Sequence, residues 1–124
     1  MPKKKLKWGV IGNGGIANAF SQSIKHSKTS ELQAVFGRNE TKVKNFAQKH
    51  EINSFDKLDK FLKSGIEAVY VATPHVSHFK YSLDCIRNNL HVLCEKPLTI
   101  NSSESTILIN EAQKREVFLM EAFM

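Results

Sequence analysis

Short runs of β-branched and aliphatic residues alternate with amphipathic stretches along the whole 124-residue chain, and few folds accommodate that rhythm. The runs at Leu6 to Ile11, Leu32 to Phe36, Ile52 to Phe55, Ala68 to Ala72, His91 to Cys94 and Val117 to Glu121 read as strands. Most are continuously apolar, as strands covered on both faces of a parallel sheet must be. The stretches between them read as helices. The first carries Ile16, Ala19, Phe20 and Ile24 on its core face, and the second spans Glu40 to His50 behind an Asn39 cap with Val43, Phe46 and Ala47 inward. A third is capped by Asp56, buries Leu58, Phe61 and Leu62, and ends at Gly65. A fourth, near Ser77 to Asn89, turns Phe79, Leu83 and Ile86 inward, and a fifth begins at Asn101 or Ser102 and buries Ile107, Leu108 and Ala112. Strands and helices in this order predict right-handed crossovers and a doubly wound α/β sheet within one domain.

The first strand runs into "GVIGNGGIA", where Gly12, Gly14 and Ala17 form a GxGxxA spacing before a helix. Gly12 permits a tight turn, Gly14 lets the backbone approach a pyrophosphate, and Ala17 lets helix and strand pack closely. Backbone N–H groups from Asn13 through Gly15 and Ile16 would then face the anion, aided by the helix dipole. A ligand-free glycine turn uses the same residues, but the strand before and the helix after are what a dinucleotide site requires.

In such a site an acid about 20 residues further on bonds the adenosine ribose. Here the second strand ends in "AVFGRNET", which offers Arg38 and Asn39 instead. A guanidinium at that position can face a 2′-phosphate and stack on adenine, so NADP is expected, with NAD possible. The competing view is that Arg38 is a solvated turn residue.

Ligands of doubly wound sheets lie beyond the carboxyl ends of the strands, which gives Thr73, Pro74, His75 and His78 in "VATPHVSHF" a place near the cofactor. His78 is expected to hydrogen-bond near the helix start, and His75 to reach toward cofactor or solvent. The two histidines lack a second ligand pair, so a zinc site is disfavoured. The fifth strand ends in Cys94, Glu95, Lys96 and Pro97. If the extended conformation persists, Cys94 and Lys96 project to one side, but no histidine base accompanies the thiol and an inert buried cysteine is preferred. Lys96 can instead donate to a substrate oxygen and favour the charge that develops in hydride transfer, whereas its bland alternative is a surface ion pair with Glu95.

The net charge of +6 raises the question of nucleic acid, yet apart from Lys3, Lys4, Lys5 and Lys7 the cations are scattered, without a basic stripe interleaved with aromatics. No nucleic-acid partner is expected. Neither a membrane span nor a cleavable signal is legible, and two cysteines make no disulfide framework, so the expected setting is the cytoplasm.

Taken together, "GVIGNGGIA", "VATPHVSHF", "CEKPLTINSSES" and "LMEAFM" resemble the N-terminal Rossmann domain of the Gfo/Idh/MocA oxidoreductases, in the branch of dihydrodiol and NADP-dependent xylose dehydrogenases. The resemblance covers essentially the whole chain. It implies hydride transfer between nicotinamide and a sugar-like or diol alcohol or aldehyde, with Lys96 between nicotinamide and the reacting oxygen. It implies cofactor contacts from Gly12, Gly14, Ala17, Arg38, Thr73 and Pro74. His75 stands where the family often has asparagine. The family's second α/β domain, which shapes the substrate pocket, supplies a catalytic histidine and mediates homo-oligomerisation, has no counterpart in residues 1–124, so a truncated, catalytically incomplete domain is expected. Two alternatives stay open: a free-standing redox-sensing or regulatory dinucleotide-binding module, and, less well matched, a methyltransferase with a similar first loop.

Overall fold

A computed structural model of the chain describes residues 4–99 and 101–122, the side chain of His75 excepted. The chain alternates β1 (Leu6–Ile11), α1 (Gly15–Ile24), β2 (Ser30–Phe36), α2 (Glu40–His50), β3 (Asn53–Phe55) and α3 (Leu58–Leu62). It continues with β4 (Ala68–Val71), a single 3-10 turn (His75–Ser77), α4 (His78–Arg87), β5 (His91–Glu95), α5 (Ser102–Arg115) and β6 (Leu119–Ala122). All pairings are parallel, in the order β3-β2-β1-β4-β5-β6. This is the doubly wound arrangement, with a reversal of winding between β1 and β4.

Two apolar layers cover the sheet. On one face Phe61, Tyr81, Cys85, Ile86 and Leu108 pack against Ile11, Phe36, Val69, Val71 and Val92. On the other, Ala17, Val43, Phe46 and Ala47 pack against Val10, Val35 and Tyr70. β4 is buried at every residue, which explains its unbroken apolar sequence. Asn39 and Asn101 cap α2 and α5 as their side-chain oxygens accept the Lys42 and Glu104 N–H groups at 3.0 and 2.9 Å. The α3 cap differs from expectation, because Lys57 occupies it and no side chain bonds there.

Helix faces also depart from the apolar pattern. Ile16 and Ile107 are 48% and 47% exposed, and Ala19 is exposed as well. On α1 the buried residues are Ala17, Ser21 and Ile24, with Phe20 packed partly against the same layer, and the Ser21 hydroxyl is satisfied by donating to the Ala17 carbonyl at 2.8 Å. On α4 the buried face is His78, Tyr81, Ser82, Cys85 and Ile86, while Phe79 and Leu83 pack only partly. Among the described residues no helix is long and apolar enough to cross a membrane, and no group of three or more His, Cys, Asp or Glu side chains could hold a metal.

At the end of the sheet opposite the strand tips, His50 is 4% exposed, its Nε2 lying 2.9 Å from Asn18 Oδ1. Burial, and then the charges of Lys25 and Lys49, lower its pKa from the ordinary 6.5. The unfolded chain therefore binds more protons than the folded one just below pH 6.5, so stability is lost as pH falls from there through the folded value and is unaffected well above it. Thermal melts at about pH 7.5 and about pH 5.5 should show a larger drop in Tm for the native chain than for His50→Gln. Equal drops would refute this assignment.

Candidate functional site

Parallel strands deliver all their carboxyl ends to one edge of the sheet, and the reversal between β1 and β4 parts the loops there. Two backbone bonds set the mouth of the gap: Gly12 N–H donates to the Phe36 carbonyl at 3.0 Å, and Ala72 N–H to the Ile11 carbonyl at 2.9 Å. Between the loops lies a cavity of about 480 Å³, bordered by Gly12, Asn13 and Gly14 after β1, Gly37 and Arg38 after β2, and Thr73 and Pro74 after β4.

Gly12 has φ +115°, and a Cβ on it would lie 2.7 Å from the Ala72 carbonyl oxygen. Both facts demand glycine. Gly14 and Gly15 meet nothing within 4 Å of where a Cβ would stand, which leaves open space over the start of α1. The first turn of that helix carries no acid, and its N-cap, Gly14, borders the cavity. Ala17, fully buried, seats the helix against the sheet, whereas Ile16 is exposed beside it.

At the tip of β2, Asn39 commits its side-chain oxygen to the α2 cap. Arg38 extends the other way, and its Nε donates to the Tyr81 hydroxyl at 3.2 Å. Among the described residues the ion pairs, Lys44–Glu40 and Arg115–Glu111, both at 2.7 Å, lie away from this guanidinium.

The loop after β4 is braced from within. Ser77 Oγ lies 2.9 Å from Thr73 Oγ1 and 2.8 Å from the Pro74 carbonyl oxygen. His78 does not border the cavity; it is 1% exposed beneath it, with Nδ1 2.7 Å from the Pro97 carbonyl oxygen and Nε2 2.7 Å from that of Thr73. It thereby joins the loop after β4 to the loop after β5. His75 opens the 3-10 turn, and its side chain lies outside the described residues.

After β5, the strand ends at Glu95, so the extended run that would align Cys94 with Lys96 does not persist. Cys94 is fully buried and burial pushes its thiol up to about 11, while Cys85, also fully buried, is pushed higher still; both are inert thiols at neutral pH. Glu95 is 7% exposed and cannot form a surface ion pair with the exposed Lys96. Burial, with the Glu95 carboxylate beside it, pushes the Tyr70 phenol well above its ordinary range, so it stays protonated. Glu95 Oε2 is buried without a hydrogen-bond partner among the described residues. Lys96 stands outside the cavity border, on a segment held from two sides: Pro97 by His78, and Leu98 by its N–H donating to Glu121 Oε2 of β6 at 2.6 Å.

Tyr81 and Glu121 did not emerge from the sequence as site residues. Tyr81 belongs to the helically spaced set His78, Tyr81, Ser82, Cys85 and Ile86, a signal masked because half of that face is polar. Glu121 meets Leu98 across 23 residues of chain, and no local pattern reports such a contact.

Comparison with known proteins is consistent with this geometry. Residues 6–123 match the Gfo/Idh/MocA oxidoreductase family, NAD-binding Rossmann fold. The trans-1,2-dihydrobenzene-1,2-diol dehydrogenase of Xenopus laevis is 41% identical over 123 residues, covering 94% of this chain and 37% of its own length. A mutant 3-ketoreductase from Actinomadura kijaniata, in complex with TDP-benzene and NADP, superposes with a TM-score of 0.92 at 28% identity, over 97% of this chain and 39% of that one. The fold is likewise shared with GenD2 from gentamicin A biosynthesis, in complex with NAD, at a TM-score of 0.92 and 24% identity over 98% and 35% of the two chains. The chain thus spans just over a third of the length of the relatives it matches.

Proposed function

The chain belongs to the Gfo/Idh/MocA oxidoreductase family as an NAD-binding Rossmann domain, and on that premise we propose that it is the cofactor-holding part of a dehydrogenase that prefers NADP and acts on a sugar-like or diol alcohol or aldehyde. The observation that carries the reading is the cavity between the glycine loop and the loop after β4, with a cation, Arg38, at the place where an acid would select NAD.

The residues fit such a cofactor. Open space at Gly14 and Gly15 leaves the start of α1 free for a pyrophosphate, and Arg38 borders the same cavity beyond the tip of β2. A nicotinamide cofactor bound there would supply the hydride acceptor for an alcohol carbon, or the hydride donor for the reverse reaction. Lys96 would contribute the donor: its Nζ ammonium bonds the reacting oxygen and stabilises the negative charge that grows on it. His78 and Glu121 hold the lysine's segment against the sheet, so the donor is placed by the fold. The substrate-facing remainder of the enzyme, including a base and an oligomer interface, belongs in this reading to the part of the relatives that lies outside the match.

Titrating the chain with NADPH and with NADH tests the cofactor reading. A charge-assisted contact with the 2′-phosphate should favour NADPH by roughly tenfold or more. Equal affinities, or tighter NADH, would overturn it.

A further inference from the structure

We propose that Tyr81 determines cofactor preference by anchoring Arg38 as a phosphate fork; this deepens the NADP reading above and rests on it. Arg38 is an exposed turn residue, and a free arginine there would have to surrender much rotamer freedom on meeting a ligand. It is not free. Its Nε donates to the Tyr81 hydroxyl at 3.2 Å, from a helix 43 residues further along the chain. The anchor is itself rigid: Tyr81 is 5% exposed, and its ring meets Phe36 edge-on with centroids 6.0 Å apart. Phe36 ends β2, one residue before Gly37, so the same ring supports both the strand tip and the guanidinium.

A guanidinium held through Nε keeps both terminal amino groups available, and those are the pair that grips a phosphate monoester bidentately. Tyr81 and Arg38 border the same cavity as Gly12 and Gly14, so the fork faces the space in which a ribose would lie. Tyr81 is thus a positioning residue that acts through Arg38, and its effect falls only on the ligand carrying the 2′-phosphate.

Tyr81→Phe keeps the ring and removes only the hydroxyl. Dissociation constants for NADPH and NADH, measured with a thermal melt of each variant, should show NADPH weakened roughly three- to tenfold with NADH unchanged. In the Arg38→Ala background, Tyr81→Phe should cause no further loss of NADPH affinity. Parallel losses for both cofactors, no loss for NADPH, or a further loss in the Arg38→Ala background would each overturn the inference. If Arg38→Ala abolishes the preference while Tyr81→Phe leaves it intact, the NADP reading stands and the anchoring role falls. If Arg38→Ala leaves the preference intact, the reading of Arg38 falls first.

Discussion

Lys96→Met in the complete enzyme should lower turnover by about a hundredfold to a thousandfold, the usual loss when one donor to a developing oxyanion is removed. Affinity of the domain for NADPH should change by less than about twofold, because Lys96 stands outside the border of the cofactor cavity. The size of the effect follows from placement. An exposed lysine on a free loop would be worth little, since water competes for its charge and its four-carbon stem must be ordered. Here the two residues that follow it are fixed by a 2.7 Å contact with His78 and a 2.6 Å bond to Glu121. Arginine should rescue poorly, because a planar fork does not reproduce a compact ammonium at the same point. Turnover within a few-fold of the parent enzyme would remove Lys96 from the chemistry.

Two glycines two positions apart should fail in different ways. Gly12→Ala forces a Cβ to within 2.7 Å of a backbone carbonyl at φ +115°, and neither the carbonyl nor the turn can give way cheaply. About 2–3 kcal/mol of stability should be lost, which lowers Tm by roughly 10 °C in a domain of this size. Gly14→Val meets open space with φ −86°, a value that valine adopts freely, so its melt should fall by only a few degrees, about 1 kcal/mol for the loss of glycine at the α1 N-cap. Its side chain would nevertheless stand where the pyrophosphate must approach, and NADPH binding should weaken at least about tenfold. Native-like affinity in Gly14→Val would place the phosphates elsewhere and undo the proposed cofactor pose.

The alternation of short apolar runs with amphipathic stretches was enough to read the doubly wound sheet, because strands buried on both faces leave little choice of residue. Strand limits agree within about two residues, as expected where ends fray into loops. The pattern conveyed the inward side of α1 and α4 through Phe20, Ile24, Phe79, Leu83 and Ile86, but not the small and polar residues that share it. A large apolar residue such as Ile16 looks like core, yet it is exposed while the smaller Ala17 and Ser21 are buried. On α4 a buried histidine, tyrosine and serine join Ile86 in the core, while the expected Phe79 and Leu83 pack against it only partly. The place of the glycine loop, Arg38 and Lys96 at the carboxyl edge of the sheet was legible because each follows a strand in a topology that fixes where strands end. Tyr81 and Glu121 were not, since their meaning lies in partners 43 and 23 residues away.

The imidazole of His78 has a bearing on how this domain could be re-engineered. It spans the carbonyls of Thr73 and Pro97, so the cofactor-side loop and the lysine-bearing loop share a single joint. Neither loop is therefore an interchangeable part. A graft that imports one from a relative without its matching histidine contact would carry half of a hinge pin, so the two loops have to move together as one cassette or stay together in place.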